Sequence, residues 1–183
     1  MEIIAIYRPY IYSIKHDAAV MNEFDRLFGQ WSDLGSVLQF FDTYQEFLNT
    51  PFWSGVTGPE DAALQVLNEA RELRSLFDEM NKNTRDGDED DFDSHFRYLD
   101  GKYKYELEWP PMKSYGTRRP SFLRIYAIRM DTNTYLITGG GIKLTEKIQD
   151  APGLKDNVLS DIDKVRDFLK ANGIFDSDDM ESD

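Results

Sequence analysis

The chain has no cysteine and only two histidines, His16 and His95. The first absence excludes disulfides, thiolate metal sites and a cysteine nucleophile. The histidines form no ligand pair at helical spacing, and no serine or threonine stands in a nucleophile motif. Zinc hydrolysis and a Ser-His-Asp triad are therefore not expected. No apolar run approaches about 18 residues, so no membrane span is expected. The opening residues, Met-Glu-Ile-Ile-Ala-Ile-Tyr-Arg-Pro, show neither a basic segment nor a small-residue cleavage pattern, unlike a signal peptide. These absences point to a cytoplasmic location. Positive charge is also scarce: 21 Lys and Arg face 34 Asp and Glu, a net charge of -13. That balance opposes generic nucleic-acid binding, whose affinity comes from cations neutralising phosphates.

What is present suffices for a real core. Of 183 residues, 40% are hydrophobic and 14% aromatic, which fits one domain, with or without a large insertion. The charge is uneven. Residues 98–150 hold nine Lys and Arg against six Asp and Glu, a local net of +3 inside the acidic whole.

Residues 3–14 are β-branched and aromatic and predict one strand, with Pro9 at an edge or bulge. Asp17 is a candidate N-cap for a helix bearing Val20, Phe24, Leu27, Phe28 and Trp31. Ser36 is a candidate cap for a second helix, which Thr50-Pro51 ends. Phe52 and Trp53 are expected to plug the core from a loop. Pro59 suits the first turn of a third helix carrying Ala63, Val66, Leu67, Ala70, Leu73, Phe77 and Met80. A polar break follows at residues 83–93. Its Asp-x-Asp-x-Asp lacks the glycine and terminal glutamate of a calcium loop, so it is expected to be a solvated acidic loop. Tyr103, Tyr105, Leu107 and Trp109 alternate with Lys104, Glu106 and Glu108, the period of a half-buried strand. Glu106 and Glu108 are expected to pair with cross-strand cations. Pro110-Pro111 stops that strand, and residues 112–120 form a basic, turn-rich loop. Residues 122–130 and 134–138 predict a hairpin around 131–133. Gly139-Gly140-Gly141 lacks the spacing of a P-loop or dinucleotide fingerprint and suits a bulge or sharp turn at a strand end. A last helix is expected over 156–171 with Gly173 as its stop, followed by a frayed acidic tail.

Residues 98–152 resemble the core of the RelE/ParE-like (HigB-like) toxin superfamily of toxin–antitoxin systems. Tyr105-Glu106-Leu107-Glu108 is similar to that family's Tyr-Glu-Leu-Arg, and Arg124-Ile125-Tyr126 to its Arg-Ile-x-Tyr. Gly141-Ile142-Lys143-Leu144-Thr145-Glu146-Lys147, with Pro152 beyond, is similar to Phe-x-Lys-Lys-Thr-x-Lys-x-x-Pro. Residues 3–31 extend the likeness loosely. Glu108 and Leu144 stand where the family has arginine and lysine.

The resemblance implies an α+β fold: a small antiparallel RelE-like β-sheet packed by N-terminal helices, a helical insertion and a C-terminal helix. Residues 1–175 would form one domain, with the insertion at 32–92, the core sheet at 93–152 and an acidic tail at 176–183. It further implies a cognate antitoxin protein as partner and cleavage of mRNA on the ribosome. Arg124, Lys143 and Lys147 would be the catalytic residues. Arg124 would stabilise charge, and the lysines would bind phosphate or move a proton. Lys102, Lys104 and Arg129 would bind RNA, and no cofactor or metal is implied. The acidic balance and Glu108 keep a second expectation open, a non-catalytic interaction domain with the same fold.

Overall fold

Alternation along one hairpin organises the molecule. The computed structural model describes residues 1–106 and 108–181. In it β5 (Leu123–Asp131) and β6 (Thr134–Ile142) pair antiparallel. Asn133 takes the left-handed turn conformation, which asparagine tolerates. Leu123, Ile125 and Ala127 belong to one core, while Tyr126, Ile128 and Met130 belong to a second on the opposite face. Burial on both faces marks β5 as central. Among the described residues the sheet has six strands in the order β1-β2-β6-β5-β4-β3, where β1 is Glu2–Tyr7, β2 Ile11–Lys15, β3 Arg97–Tyr98 and β4 Pro111–Tyr115. β2 runs parallel to β6, and the other pairs are antiparallel. The fold is α+β.

The first core lies under α1 (Glu23–Ser32), α2 (Leu34–Thr43) and α3 (Pro59–Asp86). Pro59 begins α3, and Gly87, in left-handed conformation, ends it. A short α4 (Phe92–His95) follows. The second core lies under α5 (Val158–Asn172), whose Val158, Ile162, Val165 and Leu169 face the sheet. Gly173 closes α5 at φ 67°, where a side chain is disfavoured. Residues 32–92 contribute Val37, Phe41, Val66 and Phe77 to the same core as the sheet. Trp53 is 2% exposed and stacks on Phe122 at 4.0 Å between ring centres, and its indole donates to the Leu144 carbonyl. Truncating such a residue typically costs about 3–5 kcal/mol. Phe52 beside it stays 39% exposed.

Several local expectations are corrected. Residues 3–14 are two strands, because the chain reverses through Arg8 and Pro9 between β1 and β2. Asn22, not Asp17, caps α1 by accepting from the Asp25 amide, and Val20 lies outside the helix at 90% exposure. Asp33, not Ser36, caps α2, which stops at Thr43 and gives way to two short 3₁₀ turns. The polar break starts later than residue 83, since α3 runs to Asp86.

The largest correction concerns residues 103–109. Asp100 accepts from the Lys102 amide and starts a 3₁₀ turn over Gly101–Tyr105, leaving Tyr105 82% exposed. Leu107 lies outside the described residues. The strand sits instead at β4, inside the expected loop. Pro111 is tolerated there as the strand's first residue. The acidic tail is docked as far as it is described: Met180 is buried, and the Tyr12 hydroxyl donates to Glu181 at 2.7 Å.

Candidate functional site

Register places the cations. Lys113 pairs with Tyr126 and Tyr115 with Arg124, so all four side chains share the α5 face of β4 and β5. Lys143 follows β6 directly, its amide donating to the Phe122 carbonyl. The loop after it brings Lys147, and the 3₁₀ turn brings Lys102 and Tyr103. Together they surround a pocket of about 350 Å³. Arg124, Lys143, Lys147 and Lys102 are thus brought together. Lys104 is exposed outside the pocket. Arg129 points to the opposite face, ion-paired with Asp93 at 2.6 Å. Lys113 was missed by sequence reading. Its signal was the alternation of Met112 and Ser114 with Lys113 and Tyr115, which the two prolines before it disguised.

Arg124 is 7% exposed. Its Nη1 donates to the carbonyls of Ser121 and Leu123, and its guanidinium lies 4.2 Å from the Tyr115 ring centre. Burial lowers its proton affinity, with Tyr126 and Tyr115 acting the other way. The loop before it is anchored from α3. Buried Glu69 accepts from the Ser121 hydroxyl and the Phe122 amide. A β-carbon at Gly116 would fall 1.8 Å from Glu69 Oε1, so a larger residue there would displace the carboxylate from Ser121 and Phe122.

Lys143 is pushed down to about 8, first by burial and then by the charges of Arg124 and Lys113. Its Nζ donates to the Glu146 carbonyl at 2.7 Å. At neutral pH roughly a tenth of such an amine is uncharged. A half-desolvated amine beside two cations can accept a proton, and the cations around it can hold a phosphate.

Other candidate groups are engaged structurally. Glu106 pairs with Arg166 of α5 at 2.7 Å, across to a helix and not across strands. Asp93 takes hydrogen bonds from the Tyr135 hydroxyl and the Asn133 amide, and Asp91 caps α4, so both acids clamp the β5–β6 turn. His95 sits 2.6 Å from the Ser114 hydroxyl, yet Ser114 is fully buried, which closes this pair to substrate. Burial, then Arg97 and Arg119, push His95 down to about 4. The glycine triplet is part of β6, next to a bulge at Thr138.

Fold and pocket define an α+β protein with a cation-lined recess at one end of its sheet. No family model, no curated protein and no solved structure matches the chain. Among the described residues no helix is long and apolar enough to cross a membrane.

Proposed function

We propose that this chain is a toxin-like component of a toxin–antitoxin pair whose cationic pocket binds RNA and cleaves mRNA on the ribosome. One observation supports it above others: Arg124, Lys143, Lys147 and Lys102, with Lys113, outnumber the acids Asp100 and Glu146 around one pocket in a protein of net charge -13. The order of a strand, helices and the antiparallel strands β4, β5 and β6 follows the RelE/ParE-like pattern, with β2 and β3 added to it and Tyr105 of the first motif on a 3₁₀ turn instead of a strand. Uncharged Lys143 takes the proton of a 2′-hydroxyl as its oxygen attacks the adjacent phosphorus. Arg124 and Lys147 hold the developing phosphorane charge. A rim ammonium, Lys102 or Lys147, returns a proton to the leaving 5′-oxygen, giving a 2′,3′-cyclic phosphate and a 5′-hydroxyl.

A second reading has its own support. Arg124 lies against Tyr115 and spends Nη1 on two backbone carbonyls, as a structural cation would. This reading is a non-catalytic interaction domain. Induced expression separates the two. Growth arrest and 5′-hydroxyl mRNA ends for the wild type, both absent for Lys143→Ala/Lys147→Ala, are expected of the nuclease. A wild type that neither arrests growth nor cuts translated mRNA removes the nuclease and leaves the interaction domain.

A further inference from the structure

The cationic pocket has a neighbour. Glu146 and Lys147, on its rim, also line a recess of about 470 Å³. Lys143 lines the first and Leu144 the second, as successive residues leaving a strand do. The other wall of the recess comes from the segment after α2. There the helix has given way to 3₁₀ turns, which bring Phe47, Pro51 and Phe52 to it.

Phe52 is exposed but not loose. Its ring stands at 85° to that of Trp53, with centres 4.8 Å apart. Trp53 is itself locked by its stack on Phe122 and its bond to the Leu144 carbonyl. A ring braced against a fixed one has little conformational freedom left to lose when a ligand covers it. Phe52 also lies within residues 32–92, outside the stretch that resembles the toxin core.

Charge decides which part of a ligand each site takes. Arg124, Lys143 and Lys113 meet in the first pocket. In the recess Lys147 faces Glu146 and Asp150, and two carboxylates oppose a phosphate. The recess therefore suits an uncharged, flat group next to an anion held in the pocket. A single nucleic-acid strand carries that pair, a phosphate and the aromatic base beside it. We propose that Phe52 is a stacking platform for a base of single-stranded RNA, the base adjoining the phosphate held at Lys143 and Lys147. This rests on the RNA reading of the cationic pocket. Stacking needs only a π-face, so the platform accepts any base.

Fluorescence anisotropy with two labelled RNAs of equal length tests it: an oligouridylate, and the same ribose-phosphate chain without bases. Phe52→Ala is expected to weaken oligouridylate binding about tenfold. It should leave the affinity for the abasic chain and the salt dependence unchanged, because no phosphate contact is lost. Phe52→Trp, which keeps a π-face, should bind as the wild type does. Unchanged oligouridylate affinity in Phe52→Ala overturns the platform alone; the pocket keeps its RNA, and Phe52 is left as an apolar contact for a protein. An equal loss on both RNAs also overturns it, since the variant has then disturbed the pocket itself. A wild type that binds neither RNA overturns the platform and the RNA reading together. Binding that depends on Phe52, in a protein that cuts no mRNA, keeps the platform and removes only the nuclease.

Discussion

Lys143 holds an amine whose charge its surroundings resist. Burial and the Arg124 and Lys113 charges lower it from 10.5 to about 8. Between those values the unfolded chain binds a proton that the folded chain does not. Stability therefore rises with pH across that window, and below it the full cost of the charged amine is present. Lys143→Met removes that cost. The variant is expected to melt at or above the wild-type temperature at pH 7, with the advantage shrinking as pH climbs from 8 toward 10.5. On the nuclease reading its cleavage falls at least about 100-fold, the usual scale of a lost general base. Wild-type cleavage rises with pH and levels above about 8. Melting curves and single-turnover cleavage across pH check both halves. A Met variant that loses stability and keeps its cleavage rate contradicts both.

At the scale of elements, the three glycines of β6 are not equivalent. A β-carbon at Gly140 would meet the Arg124 carbonyl oxygen at 2.4 Å and Leu27 at 2.8 Å, and the backbone oxygen cannot swing aside. At Gly139 the nearest atom is 3.7 Å away. Gly140→Ala should cost about 1–3 kcal/mol, as overpacking does, and Gly139→Ala less than about 1 kcal/mol. Urea midpoints of the two variants measure the difference; equal midpoints would mean that the strands pack otherwise. The same contrast shows what was legible in the sequence. The helical stripes of α3 and α5 and the β5–β6 hairpin could be read from periodicity, because each buries a face of matching period. The β1–β2 turn was not, since Arg8-Pro9 breaks the β-branched and aromatic run for only two residues and offers no glycine or asparagine, so Pro9 reads as a bulge in one strand. Residues 103–109 imitated a strand because tyrosines beside lysines alternate equally well on an exposed turn. Four of the expected cations, Arg124, Lys143, Lys147 and Lys102, share the pocket because neighbouring strands and the flanking turns end there. Arg129 falls away because it is an odd number of residues from Arg124, which in a strand means the other face.

For the whole molecule, the nuclease reading has to explain how a chain of charge -13 would approach a polyanion. The positive excess is confined to residues 98–150, and the acidic remainder repels RNA at long range. Association with free RNA should accordingly be slow and weak, and a ribosome that already presents the message would supply the concentration the protein's own field does not. Contact itself still releases counterions. If roughly three to five phosphates meet the pocket lysines and arginine, the logarithm of affinity for a single-stranded oligonucleotide falls against the logarithm of salt with a slope of about -2 to -3.5. Lys113→Ala, which removes one pocket cation, flattens that slope by about 0.7. Lys104→Ala, outside the pocket, changes it less. Fluorescence anisotropy of a labelled oligonucleotide between low and moderate salt gives the slopes directly. A wild-type slope near zero would mean that no phosphate enters the pocket. Equal effects of Lys113 and Lys104 would mean that RNA is attracted by the locally basic surface as a whole, with the pocket playing no special part.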